Sequence, residues 1–170
     1  LRFRYGSVNN RIQLQTDYGS ITPSVWQHIL ITYDGGTTGS SSGSVSDYYS
    51  RFKIYIDGVL VSPANTSNAN YGWTGSVDPD NFRVGRYVSG NYMRDCRVDE
   101  LAVWSSDQSS NISDIYNSGN THDLTGLAAS PAHYWRMGDD DTYPTIQDNV
   151  GTAHFVMYNM TAADIVTDTP

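Results

Sequence analysis

Asp99 and Glu100 lie side by side in RVDELAVWSSDQSSNISDIYNSG, residues 97–119. Paired carboxyl groups can cleave an acetal when one is the nucleophile and the other the acid, and the retaining form of that reaction holds them about 5–5.5 Å apart. Residues i and i+2 of a strand share a face and meet that need, whereas neighbours point to opposite faces. Read as a strand, RVDELAVW sets Val98, Glu100, Ala102 and Trp104 opposite Asp99, Leu101 and Val103, so the two acids diverge. Glu100 is the single glutamate of the chain, and no E-x-D-x-x-E pattern or i, i+2 aspartate pair lies in a clear strand. The expected role of the two acids is structural. An acid facing a core accepts hydrogen bonds from a loop backbone or pairs with an arginine such as Arg86 or Arg97.

Other reactive side chains form no constellation. His28, His122, His133 and His154 are scattered, and no G-x-S-x-G elbow occurs. His28 lies in an apolar strand and is expected to be packed and hydrogen-bonded. Cys96 is alone, so it forms no internal disulfide, and no neighbouring motif marks it as reactive.

The elements that must position any site are strands. The chain has 170 residues, enough for one domain with a core, with 13 Tyr and 4 Trp but a single Lys, Lys53. Near absence of Lys and Glu argues against helical surfaces, and abundant Ser, Thr, Asn, Gly and Asp suits strands joined by turns. A net charge of −8 opposes binding to a nucleic-acid backbone and fits an anionic membrane poorly. No apolar run reaches membrane-spanning length, so no membrane insertion is expected.

Alternation marks Leu1–Tyr5 and Arg11–Thr16 as half-exposed strands around the turn GSVNN. WQHILITY, residues 26–33, is apolar on both faces and reads as a central strand. A Gly/Ser-rich loop follows. RFKIYIDGVLV, residues 51–61, is a hairpin with Asp57-Gly58 as its turn. NFRVGRY (81–87), RVDELAVW (97–104), HYWRM (133–137), HFVMYNM and ADIVT read as further strands, with GDDDTYPTIQDNVG as a long turn region. Ile112, Ile115 and Tyr116 have helical spacing, with Ser or Asn at 109–111 to start the helix and Gly119 to end it. Ten or so strands and one short helix predict an all-β chain, an antiparallel β-sandwich.

The motif order WQHILITYDGG, RFKIYIDGVLV, NFRVGRY, RVDELAVWSSDQSSNISDIYNSG resembles the laminin-G-like jelly roll, a branch of the concanavalin A-like lectin/glucanase superfamily. The resemblance covers residues 26–119 and implies one jelly-roll domain over residues 1–170. The family's usual opening strand has its look-alike here at the C-terminal end, in HYWRMGDDDTYPTIQDNVGTAHFVMYNM. That implies a domain that is permuted, lacks N-terminal strands, or is completed by another chain. The tail, YWRMGD with NMTAADIVTDTP, resembles the ends of such modules in virion structural proteins of tailed phages.

Several expectations follow from the resemblance. Some superfamily members are glycosidases, but the acid spacing above favours a non-catalytic module. Such modules hold Ca²⁺ at the sandwich rim, and the candidate ligands are Asp34, Asp78, Asp80, Asp139 and Asp141, with Asp148 beside them. The same Asp-rich turns also read as solvated and self-capping. Tyr48, Tyr49, Tyr71, Trp73, Tyr87 and Tyr92 lie in or beside loops and are the candidate ligand-binding residues, because ring faces stack on sugar C–H surfaces; packing at sheet edges is the alternative for each. The expected function is a fibre, decoration or appendage protein at a virion surface. It would contact other virion proteins or copies of itself, and host-surface glycans. The alternative is a carbohydrate-binding domain of a secreted or cell-surface protein, with an extracellular location; a glycoside hydrolase ranks third.

Overall fold

The structure, a computed structural model, describes residues 1–6, 11–36, 50–61, 82–85 and 95–166. They fall into two compact units, one formed by Leu1–Asp78 with Ser106–Asn120, the other by Pro79–Ser105 with Thr121–Pro170. Every strand pair among the described residues is antiparallel.

In the first unit, β1 (Arg2–Gly6) pairs with β2 (Arg11–Gln15), with Phe3 opposite Leu14. A second sheet runs β3 (Ile29–Tyr33), β4 (Phe52–Ile56), β5 (Val59–Leu60). Among the described residues β4 is therefore the middle strand, not the 26–33 segment. The burial agrees: Ile29 is exposed, whereas Phe52, Ile54, Tyr55 and Ile56 are all buried. Leu14, Phe52, Ile54 and Ile56 form the core, and Phe3, Ile31, Tyr33 and Val61 pack against it. Tyr33 and Phe52, cross-strand partners, stack with centroids 4.2 Å apart.

The β4–β5 hairpin turns where the sequence places it. Asp57 (φ 51°) and Gly58 (φ 75°) both adopt the left-handed region, as a primed two-residue turn requires. The Asp57 carboxylate also accepts from the His28 backbone N–H at 2.8 Å, which ties the turn to the entry of β3. Helix α1 (Ile112–Tyr116) is one turn and a half, buries Ile115, and lays Tyr116 against Gly58. Asn111 starts it without a capping side-chain bond, because its amide donates to Gln108 instead.

In the second unit, β6 (Leu101–Val103) pairs with β7 (His133–Trp135), and β8 (Thr145–Ile146) with β9 (Phe155–Val156). The pattern expectations overreach here. RVDELAVW shortens to three strand residues because Glu100 takes φ 51°, which breaks the extended backbone. Residues 82–85 contain no strand. Of ADIVT, Ala163 and Asp164 lie in a 3-10 turn, Ala162–Asp164, with Thr161 and Asp164 capping each other, and Ile165 and Val166 are not in a strand; β8 lies inside the stretch that reads as a turn.

Candidate functional site

Strand β7 places chemistry-bearing side chains on both of its faces. His133 and Trp135, at i and i+2, share one face, and Tyr134 takes the other. Trp135 is 3% exposed, and its indole N–H donates to the Ala153 carbonyl at 2.8 Å. Rings gather around it. His133 stacks at 5.6 Å and 16°, Phe155 sits at 4.5 Å, and Phe82 stacks at 6.2 Å and 25°. Phe82 also stacks on Phe155 and remains 59% exposed.

Beside this row, Asp148 has a fully buried side chain that is saturated with donors. Its Oδ1 accepts from the backbone N–H groups of Tyr134, Val150 and Gly151 at 3.1, 3.2 and 2.9 Å. Its Oδ2 accepts from Ala153 N–H at 3.0 Å and faces His133 Nδ1 at 2.6 Å. Burial alone would raise the carboxyl pKa; the N–H donors and the imidazole overcome it and hold the value down to about 2. An ionised acceptor places a proton of His133 on Nδ1, so the neutral form of the ring presents its Nε2 as a lone pair. The Asp148 backbone N–H donates to His154 Nδ1 at 3.0 Å, so the proton of neutral His154 sits on Nε2. One aspartate thus sets two imidazoles to opposite tautomers. Gly151 makes room for this: a Cβ there would meet Asp148 Oδ2 at 2.6 Å and His133 Nδ1 at 2.7 Å.

On the opposite face, the buried Tyr134 donates its hydroxyl to Glu100, and Arg136 Nε lies 3.3 Å from the other Glu100 oxygen. Arg136 also pairs with Asp139 at 2.7 Å. Burial pushes the Glu100 pKa up to about 7; Arg136 opposes this, and the charges of Asp99 and Asp139 add to it. Burial raises Asp99 as well, and its Oδ2 has no hydrogen-bond partner. The expected separation of Asp99 and Glu100 across a strand is thereby corrected. With Glu100 in a left-handed turn, both acids share one electrostatic cluster, and the described arginine that acts on both is Arg136; Arg86 lies outside the described residues.

The expected site residues are distributed unevenly. Tyr48, Tyr49, Tyr71, Trp73, Tyr87, Tyr92, Asp78 and Asp80 lie outside the described residues. Asp34, in the first unit, accepts from Gly36 N–H at 2.8 Å and Arg51 at 3.0 Å, which hold its pKa below the usual range despite burial. Asp141 accepts from the backbone N–H groups of Gly138 and Gln147, at 2.9 and 2.7 Å. Asp139 and Asp141 share one loop, while Asp34 belongs to the other unit. Among the described residues, no group of three or more His, Cys, Asp or Glu side chains is arranged to hold a metal ion. Sequence reading missed the His133–Asp148 pair. Its one local signal is D-N-V-G at 148–151, an Asp followed by a glycine at the distance an Asx-type turn needs.

The Laminin_G_3 family model, described as the concanavalin A-like lectin/glucanases superfamily, matches residues 1–111. The match ends before β7 begins. No curated protein and no solved structure matches the chain significantly.

Proposed function

The chain belongs to the Laminin_G_3 family of the concanavalin A-like lectin/glucanase superfamily, and we propose that within it the chain is a non-catalytic recognition module. The fold class expected from the sequence, an all-β antiparallel sandwich, is the one this superfamily carries. The observation that carries the proposal is how the described carboxylates are used. Asp148, Asp141, Asp57, Asp123 and Asp164 each accept bonds from the chain's own backbone N–H groups. They shape turns and are not aimed outward as a reacting pair. Glu100, whose pKa burial pushes up to about 7, is engaged by Tyr134 and Arg136.

The ligand class proposed is a glycan, which the lectin membership of the superfamily supports. The setting proposed is a virion surface, with other virion proteins or copies of the same chain as neighbours. The resemblance of the C-terminal forty or so residues supports that setting.

Two assays test the proposal. A broad glycan array is expected to yield at least one binder, and incubation with β-glucans is expected to release no reducing sugar. Silence across the array would remove the glycan reading, and measurable sugar release would overturn the non-catalytic one.

A further inference from the structure

We propose that the His133 end of β7, with the exposed Phe82 ring, is a binding site for a hexopyranose residue of a glycan. This deepens the recognition reading above and rests on it. Three features of the site select that ligand class.

The first is a ring surface. Phe82 is 59% exposed and is backed on its inner side by Trp135 and Phe155, so it is held in place while open to solvent. A pyranose presents an apolar C–H face that fits such a ring.

The second is a pair of hydrogen-bonding groups of opposite sense. In its neutral form His133 offers an Nε2 lone pair because its Nδ1–H is bound by Asp148, and its side chain is 39% exposed. The exposed His154 offers an Nε2–H because its Nδ1 is occupied by the Asp148 backbone N–H. A sugar hydroxyl both donates and accepts, so hydroxyls can use an acceptor and a donor that are fixed beforehand. Both rings are oriented without a ligand, which lowers the ordering cost of binding.

The third is charge. Among the described residues no Lys or Arg forms an ion pair with His133 or Asp148, and Asp148 is ionised. The charge of Asp148, on a chain of net charge −8, disfavours phosphate and sulfate groups at the His133 end. A neutral, hydroxyl-rich ligand fits that end better than an anionic one.

The site lies wholly within the second unit, and its β7, Asp148 and His154 components fall after residue 111, where the family match ends.

The experiment is saturation-transfer NMR on the full chain with the methyl glycosides of β-D-glucose, β-D-galactose, α-D-mannose and N-acetyl-β-D-glucosamine. Two variants accompany it. Phe82→Ala removes the exposed ring. His133→Asn keeps a side-chain donor toward Asp148 but removes Nε2, so the Asp148 bonds persist; an unchanged unfolding midpoint verifies this. The expected result is binding of at least one glycoside by the parent chain, weakened about tenfold or more by each variant. A glycoside that binds the parent and both variants equally would overturn this site while leaving the glycan reading in place. If no glycoside binds the parent chain, nor any glycan on the array, both fall together.

Discussion

Asp148 Oδ2 stands 2.6 Å from His133 Nδ1, and the carboxylate that makes this contact also accepts from four backbone N–H groups drawn from residues 134–153. The pair therefore does two things at once. It closes the loop after β8 onto β7, and it fixes the protonation geometry of an exposed imidazole. Removing the carboxylate strands several buried donors together. Asp148→Ala is expected to cost more than about 3 kcal/mol, read as a fall in the urea unfolding midpoint. A loss within the range of an ordinary surface substitution would show that water replaces the carboxylate.

The same group sets an acid limit. Its folded pKa of about 2 lies below the ordinary value of 3.8, so its stabilisation is fully present above the unfolded pKa and is lost as pH falls through the folded one. Unfolding midpoints of the parent chain are expected to drop between about pH 4 and pH 2, and Asp148→Asn is expected to flatten that part of the profile. Parallel profiles for the two proteins would contradict the assignment.

Glu100 works in the opposite sense. Its folded pKa of about 7 lies above the ordinary 4.5, so the stability it contributes is greatest below the unfolded value and is lost as pH rises through the folded value. Glu100→Gln keeps an acceptor for Tyr134 without the charge. Thermal unfolding at pH 5 and pH 8 should separate the two proteins: near-equal midpoints at the lower pH, and a higher midpoint for the variant at the upper. A variant less stable at pH 8 than the parent would mean that the Arg136 ion pair outweighs burial.

At the β4–β5 turn, Gly58 has φ 75°, and a Cβ there would lie 2.7 Å from the Tyr116 ring. Gly58→Ala is expected to destabilise by about 1–3 kcal/mol, part backbone strain and part collision. Combining it with Tyr116→Ala in a double-mutant cycle should recover the collision part; strict additivity would leave strain alone.

The first unit's core gives a contrast in magnitude. Ile54 is fully buried and Val59 is 66% exposed, although both belong to the same three-stranded sheet. Ile54→Ala is expected to cost about 2–5 kcal/mol, and Val59→Ala less than about 0.5 kcal/mol. Comparable losses would mean that Val59 is covered in solution.

What the sequence made legible was local. The β4–β5 hairpin was readable because Asp-Gly demands a particular turn and the flanking residues alternate. The helix at 112–116 was readable from three apolar positions at helical spacing. The 26–33 segment is apolar on both faces and so reads as a central strand; among the described residues Trp26 and His28 precede β3, β3 pairs with β4 alone, and Ile29 is exposed. Nothing in RVDEL announces that Glu100 will turn left-handed, and its side-chain partners, Tyr134 and Arg136, lie more than thirty positions away. The His133–Asp148 pair was illegible for a similar reason. Each residue alone is an ordinary polar side chain, and only the return of the chain after β8 brings them together. Eight of the eleven expected site residues, from Tyr48 to Tyr92, fall outside the described segments, so their chemistry rests on the sequence alone.

Trp135 has a use unrelated to its packing. Its indole is shielded from water and lies nearly parallel to the His133 imidazole, 5.6 Å from it. An indole's emission responds to the contacts around it, so Trp135 gives the chain a built-in optical report on whether this ring stack is closed; Trp26, Trp73 and Trp104 also emit, and replacing them with Phe isolates the signal.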